Sequence, residues 1–298
     1  MSIRNQQPQN FTAKDSICVV TGAASGIGKA LCLHLATLGA KKIIAVDINF
    51  PAIQELVNSH LPPNVGLAIQ ANCGIERDMR RVILNVEYQC GPIDAFFCNA
   101  GILSVGSVTD TPNDEWEQLW NINVMQIVYV TKYLIPLYEQ RKGKGTIVIT
   151  ASAAGLLSLP GASSYSVTKH AAVALAEWLS MTYGSKGIQI SCLCPQAVKT
   201  PMIGDTDGGP AGLDGVLEAG DVARVTLEEV QQGNFLITPH RKVLKYVKER
   251  ANNHENWIEK MRKLNTMVEK KYKITPPSLP SVVGIDKKMI ITVNKMYV

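Results

Sequence analysis

The chain of 298 residues is 46% hydrophobic and 18% charged, a balance that excludes a disordered chain and suits a soluble protein with a sizeable core. Its net charge of +5 is too small to point to nucleic acid, and much of the basic excess follows His240, interleaved with Glu249, Glu255, Glu259 and Glu269 as on a solvated helix. No apolar run reaches membrane-spanning length, the N-terminal MSIRNQQPQNFTAKD lacks the apolar core of a secretion signal, and seven cysteines in no zinc or disulfide spacing fit a cytoplasmic chain without a metal.

From Ser16 onward, short β-branched runs alternate with helix-length amphipathic runs. SICVVTG precedes GIGKALCLHLATLG, KKIIAVD precedes FPAIQELVNSH, and VGLAIQANC precedes a helix through Val86. IDAFFCNAG then leads to the long helix EWEQLWNINVMQIVYVTKYLIPLYEQ, GTIVITAS to SYSVTKHAAVALAEWLSMTYG, and GIQISCLCP closes the series. Strands rich in Val and Ile on both faces, recurring between helices, predict an α/β doubly wound parallel sheet. Residues 1–14 read as a flexible N-terminal extension, 15–240 as a single domain, and 241–298 as a helical extension and tail. Ligands of such sheets bind outside the carboxyl ends of the strands, so the loops there are where chemistry is expected.

The first such loop is TGAASGIG, with Gly22, Ser25, Gly26, Ile27 and Gly28. Its glycines let the backbone approach a pyrophosphate, which the N–H groups opening the next helix receive. Asp47 ends the following strand at the offset expected of an acid that binds an adenosine ribose. A carboxylate accepts from two ribose hydroxyls but repels a 2′-phosphate, and neither Ser25 nor Ile48 brings a compensating charge, so NAD is favoured over NADP.

Taken with CNAG (Cys98 to Gly101), Asn123, Ser152 and YSVTK, in that order, the glycine turn resembles that of the short-chain dehydrogenase/reductase family, in its main single-domain branch. The resemblance spans roughly Ser16 to Met202 and implies a Rossmann-type domain that moves hydride to or from a nicotinamide. It assigns a catalytic tetrad to Asn123, Ser152, Tyr165 and Lys169. It places Asn72 and Cys73 near the adenine, has Asn99 fix the sheet beside the cofactor with Ala100 next to it, lets the ribose approach at Gly101, and puts Pro195, Val198 and Thr200 at the carboxamide. Gln196 stands where relatives carry glycine, and Asn72 where many carry Asp.

Tyr165 and Lys169 lie four residues apart, on one face of a helix. A free phenol has a pKa of about 10, so lowering it to about 7 for alcohol oxidation takes roughly 4 kcal/mol of preferential tyrosinate stabilisation. An ammonium in a water-poor cleft, aided by the positive nicotinamide ring, supplies an amount of that order. By the resemblance Lys169 also grips the nicotinamide ribose. Ser152, at the end of TIVIT, either holds the substrate oxygen or caps local backbone. The resemblance has Asn123 hold a relay water within the long helix, with Asn121 as the alternative register.

A substrate pocket is expected from Ser152, Leu156, Leu157, Gln196, Met202 and Ile203, although core packing explains the same leucines. Its apolar character and lack of an obvious anion-binding cation suggest a lipophilic secondary alcohol or ketone. The Gly-rich segment after Thr200 has the composition of a lid. FLITPH reads as the last strand. The stripe Val243, Leu244, Val247, Ala251, Trp257, Ile258, Met261, Leu264 and Val268 packs against the body or a partner subunit, or lies on a membrane. The resemblance implies a homodimer through the helices of Asn123 and Tyr165, with a homotetramer as the alternative. A non-catalytic dinucleotide-binding scaffold and an NADPH-dependent carbonyl reductase are the competing functions.

Overall fold

The computed structural model describes residues 10–204 and 206–272. Strands β1 (Ile17–Thr21), β2 (Lys42–Asp47), β3 (Gly66–Gln70), β4 (Ala95–Cys98), β5 (Gly145–Thr150), β6 (Ile188–Leu193) and β9 (Leu236–Ile237) form one sheet in the order β3-β2-β1-β4-β5-β6-β9. Every pairing in it is parallel. A two-residue pair, β7 (Val198–Lys199) with β8 (Leu217–Glu218), lies apart from it. The helices are α1 (Gly26–Thr37), α2 (Phe50–Glu55), α3 (Glu76–Gln89), α4 (Asn113–Trp120), α5 (Gln126–Gln140), α6 (Ala154–Leu157), α7 (Ser163–Tyr183), α8 (Ala219–Gln231), α9 (Lys242–Asn252) and α10 (His254–Tyr272).

The expected Rossmann-type α/β architecture is therefore present, with FLITPH supplying the seventh strand and helices following it. Both sheet faces are covered, which is why the central strands are buried at every position rather than at alternate ones. Ile44, Phe96 and Ile147 pack on the side of α3, α5 and α7, whereas Cys18, Phe97 and Val148 face α1 and α8. The chain starts at β1, runs outward to β3 and returns to β4 on the other side. That reversal opens a crevice beyond the ends of β1 and β4.

Two local features differ from the sequence reading, and a third selects one of its alternatives. Phe11 and Ala13, assigned to the flexible extension, are buried. The Phe11 ring meets Phe97 edge-on at 6.3 Å, and its N–H donates to Gln189 Oε1 at 3.0 Å. The long helix is not regular: residues 121–125 form a wider π-type turn between α4 and α5. The C-terminal stripe packs on the body itself, where Val243 and Trp257 join Ala153 and Leu157 in one cluster. Among the described residues no helix is long and apolar enough to cross a membrane.

Candidate active site

The ends of β1, β4, β5 and β6 open into a cleft of about 640 Å³ that brings together most of the expected residues. At its floor, Thr21 ties two strand ends together. Its hydroxyl accepts from the N–H groups of Asn99 and Ala100 at 2.9 and 3.0 Å, and its carbonyl accepts from Asn99 Nδ2 at 3.0 Å. Asn99 Oδ1 in turn accepts from the Thr150 hydroxyl at 3.2 Å, which brings in β5. Asn99 is thus a structural tie beneath the cleft.

The glycine turn is shaped by close approach. Gly22 has φ +66°, and a Cβ on it would stand 2.9 Å from Ala100 Cα; on Gly28 it would collide with the Gly22 carbonyl oxygen at 2.1 Å. Only residues without a side chain fit that approach. Asp47 Oδ2 accepts from Ala24 N at 3.1 Å and Oδ1 from Asn49 N at 2.9 Å. Two carboxylate oxygens offer about four acceptor positions, so capacity remains for ribose hydroxyls. Ser25, Gly26, Ile27, Ile48, Asn72 and Cys73 share the same end of the cleft. Asn72 Oδ1 accepts from Gly74 N at 2.9 Å, which fixes its side chain toward its own loop.

Tyr165, Lys169 and Ser152 meet at the other end, all buried. Lys169 Nζ donates to the Thr150 carbonyl at 3.0 Å and sits 5.6 Å from the Tyr165 ring centroid. Ser152 Oγ donates to the Pro195 carbonyl at 3.4 Å and accepts from Ala154 N at 3.0 Å. The backbone-capping alternative for this serine is the one seen directly, and its hydroxyl is also a hydrogen-bond partner of the Tyr165 phenol. Burial pushes the Tyr165 phenol above its ordinary value, and a hydrogen bond with Ser152 partly offsets that. Burial lowers the Lys169 ammonium to about 8. The protein by itself thus disfavours charge at both groups.

Asn123, rather than Asn121, turns inward. Its amide exchanges two 3.0 Å hydrogen bonds with the Ile102 backbone and donates to Thr168 Oγ1 at 3.1 Å. The π-type turn makes this possible by redirecting one side chain out of helical register, a feature frequent at functional sites. A Cβ on Gly101 would stand 3.2 Å from Asn123 Oδ1 and 3.3 Å from Lys169 Nζ, so glycine there makes room for both.

Pro195, Gln196, Val198 and Thr200 form the third side. The backbone N–H of Gln196 donates to His240 Nδ1 at 3.1 Å, and His240 Nε2 donates to the Ala197 carbonyl at 3.1 Å. Burial lowers the imidazole below its ordinary pKa, against partial recovery from the Ala197 carbonyl and Asp214. An imidazole that accepts at Nδ1 is the neutral form.

Of the expected pocket residues, Leu157, Gln196, Met202 and Ile203 line the cleft with Ser152. Leu156 does not: it is directed away from the cleft, and its carbonyl accepts from Arg250 Nη1 on α9. Consecutive residues of one helical turn point about 100° apart, so Leu156 and Leu157 cannot share one direction. The sequence reading missed a wall supplied from the C-terminal helices by Tyr246, Trp257, Met261 and Leu264. The apolar stripe holding Trp257, Met261 and Leu264 signalled burial without naming its destination, and Tyr246 lay outside it.

A family model for short chain dehydrogenases matches residues 16–209. Cyclohexanol dehydrogenase of Acinetobacter sp. strain SE19 is 32% identical over 193 residues, covering 64% of this chain and 76% of that protein. A short-chain dehydrogenase/reductase of Burkholderia phymatum, solved in complex with NAD, superposes with a TM-score of 0.76 at 26% identity, covering 82% of this chain and 96% of that one. A short-chain dehydrogenase of Sphingobium yanoikuyae, solved in complex with NADPH, shares the fold at a TM-score of 0.70 and 21% identity, covering 82% and 95%.

Proposed function

The chain belongs to the short-chain dehydrogenase/reductase family, and from that premise we propose an NAD-dependent oxidoreductase that interconverts a lipophilic secondary alcohol and its ketone, with Tyr165 as the proton-transfer group. The observation that carries this reading is one cleft holding buried Tyr165, Lys169 and Ser152 at one end and the glycine turn with Asp47 at the other. The residues fit a dinucleotide: a Cβ on Gly26 would fill space 2.8 Å from Thr200 Cγ2, and α1 begins there with no hydrogen bond from the Ser25 side chain capping its first turn. Asp47 faces the same space with acceptor capacity left, which favours a diol ribose over a phosphorylated one.

When bound, NAD supplies a hydride acceptor at its nicotinamide ring and a positive charge beside the phenol. Ser152 holds the alcohol oxygen, and Tyr165 takes its proton. In the ketone-reducing direction the same phenol gives the proton back, a role its raised pKa suits. Lys169, fixed by the Thr150 carbonyl, keeps its ammonium beside the Tyr165 ring and stabilises the tyrosinate. Asn123 holds the Ile102 backbone and the Lys169 side of the site in place. The apolar wall of Leu157, Trp257, Met261 and Leu264 excludes water and favours a lipophilic substrate.

Trp178 and Met181 on α7, 52% and 74% exposed, support a homodimer through that helix. The deciding experiment follows NADH formation across hydroxysteroids, prostaglandins, retinoids, and cyclic and long-chain alcohols. Turnover with NAD is expected for at least one class. Tight NADH binding with no redox chemistry across the panel would make the protein a scaffold, and a strong NADPH preference would overturn the role given to Asp47.

A further inference from the structure

Three segments meet at the carboxylate of Asp214, whose side chain is only 7% exposed. One oxygen accepts from Lys242 Nζ at 2.8 Å and from Tyr246 OH at 3.1 Å, both on α9. The other accepts from Gln196 Nε2 at 3.2 Å, in the loop after β6. Partial burial opposes ionisation of Asp214. Hydrogen bonds from Lys242, Gln196 and Tyr246 outweigh it and hold the carboxyl below its ordinary value.

An ionised carboxylate only accepts, so the Gln196 amide must turn its nitrogen toward it. That orientation leaves Gln196 Oε1 buried without a partner, a desolvation cost that the Asp214 contact offsets. The glycine expected at this position has no side chain with which to make the link. Gln196 follows Pro195, whose carbonyl accepts from Ser152 Oγ at 3.4 Å and from Ala153 N at 2.9 Å. The link therefore refers α9 to the serine beside Tyr165. At the far end of the helical pair, Lys271 meets Asp207 at 2.9 Å, an exposed and weaker tie. Between the two ties lie Trp257, Met261 and Leu264, the apolar wall.

We propose that Asp214 is a positioning residue for substrate selection, pinning α9 to the Gln196 loop so that the α10 wall stands at a fixed distance from Tyr165 and the site favours bulky apolar alcohols and ketones over small ones. This rests on reading the cleft as an alcohol and ketone site. Selection is a difference of affinities, and a wall held at fixed distance adds contact only for a substrate long enough to reach it. A small substrate is handled at Tyr165 and Ser152 alone.

The test is calorimetric titration of cyclododecanone and of cyclohexanone into NAD-saturated protein, where a ketone has no hydride to take. Asp214→Asn is expected to weaken cyclododecanone binding at least tenfold while cyclohexanone and NAD change less than twofold. Lys242→Met breaks the same pin from its exposed end and should shift the ketone ratio in the same direction. In the double variant the ratio should equal that of Asp214→Asn alone, because both changes remove one link. If Asp214→Asn does not fold, Lys242→Met and Tyr246→Phe carry the measurement. Equal losses for the two ketones, or no loss in a variant that still binds NAD, overturns the proposal. Wild-type protein that binds both ketones but never reduces them with NADH overturns the catalytic reading and leaves the selectivity result standing. Protein that binds neither ketone overturns both.

Discussion

Lys169 reaches past Tyr165 to the end of β5: its Nζ donates to the Thr150 carbonyl at 3.0 Å while standing 5.6 Å from the centre of the phenol ring. The ammonium is thus anchored independently of the tyrosine and adds a fixed field rather than a partner that follows the hydroxyl. Replacing Tyr165 with Phe should leave that anchor and the dinucleotide cradle intact. The expected result is a fall in kcat of about 10² to 10⁴ with NADH affinity within twofold, read by stopped-flow turnover and fluorescence titration. Wild-type turnover in the Phe variant would remove Tyr165 from the mechanism.

The buried ammonium of Lys169 should titrate at about 8, well below an exposed lysine at 10.5. The unfolded chain holds this proton more tightly, so stability from this group is complete above 10.5, declines as pH falls toward 8, and is constant below that. NMR of reductively methylated lysines, with Lys169→Met to assign the signal, checks the value. A Lys169 resonance titrating near 10.5 would contradict a water-poor site.

Removal of the Asp47 carboxylate should erode the proposed preference for NAD. A full charge pair at 4 Å is worth about 4 kcal/mol at an effective dielectric of 20, and solvent at this partly exposed residue screens much of it. The ratio of kcat/KM for NAD over NADP is therefore expected to drop about tenfold in Asp47→Ser. An unchanged ratio would mean that another group discriminates.

His240 is held neutral by accepting from the Gln196 backbone and donating to the Ala197 carbonyl. Its folded pKa lies below the ordinary 6.5 because of burial, so the unfolded state gains the proton first as pH falls. Stability should be full above 6.5 and decline below it toward the lower folded value. Melting temperatures between pH 7.5 and 5 should show this slope in the wild type and lose it in His240→Gln. Parallel curves would exclude the imidazole as its source.

Phe11→Ala should cost about 3–5 kcal/mol of stability, the usual penalty for emptying a buried aromatic site. The ring is 6% exposed and meets Phe97, on the strand that leads to Asn99. Denaturant melts give the number, and a loss below 1 kcal/mol would show that the segment does not brace the sheet.

The sheet was legible because most strands are short β-branched or apolar runs bounded by turn residues, and parallel burial leaves no alternation to confuse. The closeness of Tyr165 and Lys169 was legible through helix spacing, and their grouping with Ser152 through the resemblance of the motifs to the family's. Phe11 was not, because one aromatic in a polar stretch has no period. Leu156 was misplaced because sequence spacing cannot say which side of a four-residue helix faces the cleft. The roles of Trp257 and Met261 were hidden for another reason. An amphipathic stripe declares that a face is covered, while its partner, Leu157, lies a hundred residues earlier in the chain.

The order of the parts along the chain has a consequence for biosynthesis. Residues facing the nucleotide are complete by Thr200, α8 and β9 then close the sheet, and the wall from Tyr246 to Leu264 comes last. A nascent polypeptide leaving the ribosome therefore finishes its nucleotide cradle before the wall proposed to select the substrate exists. On the proposed function, gene rearrangements that exchange the DNA encoding α9 and α10 would alter which substrate is accepted while keeping the nucleotide cradle.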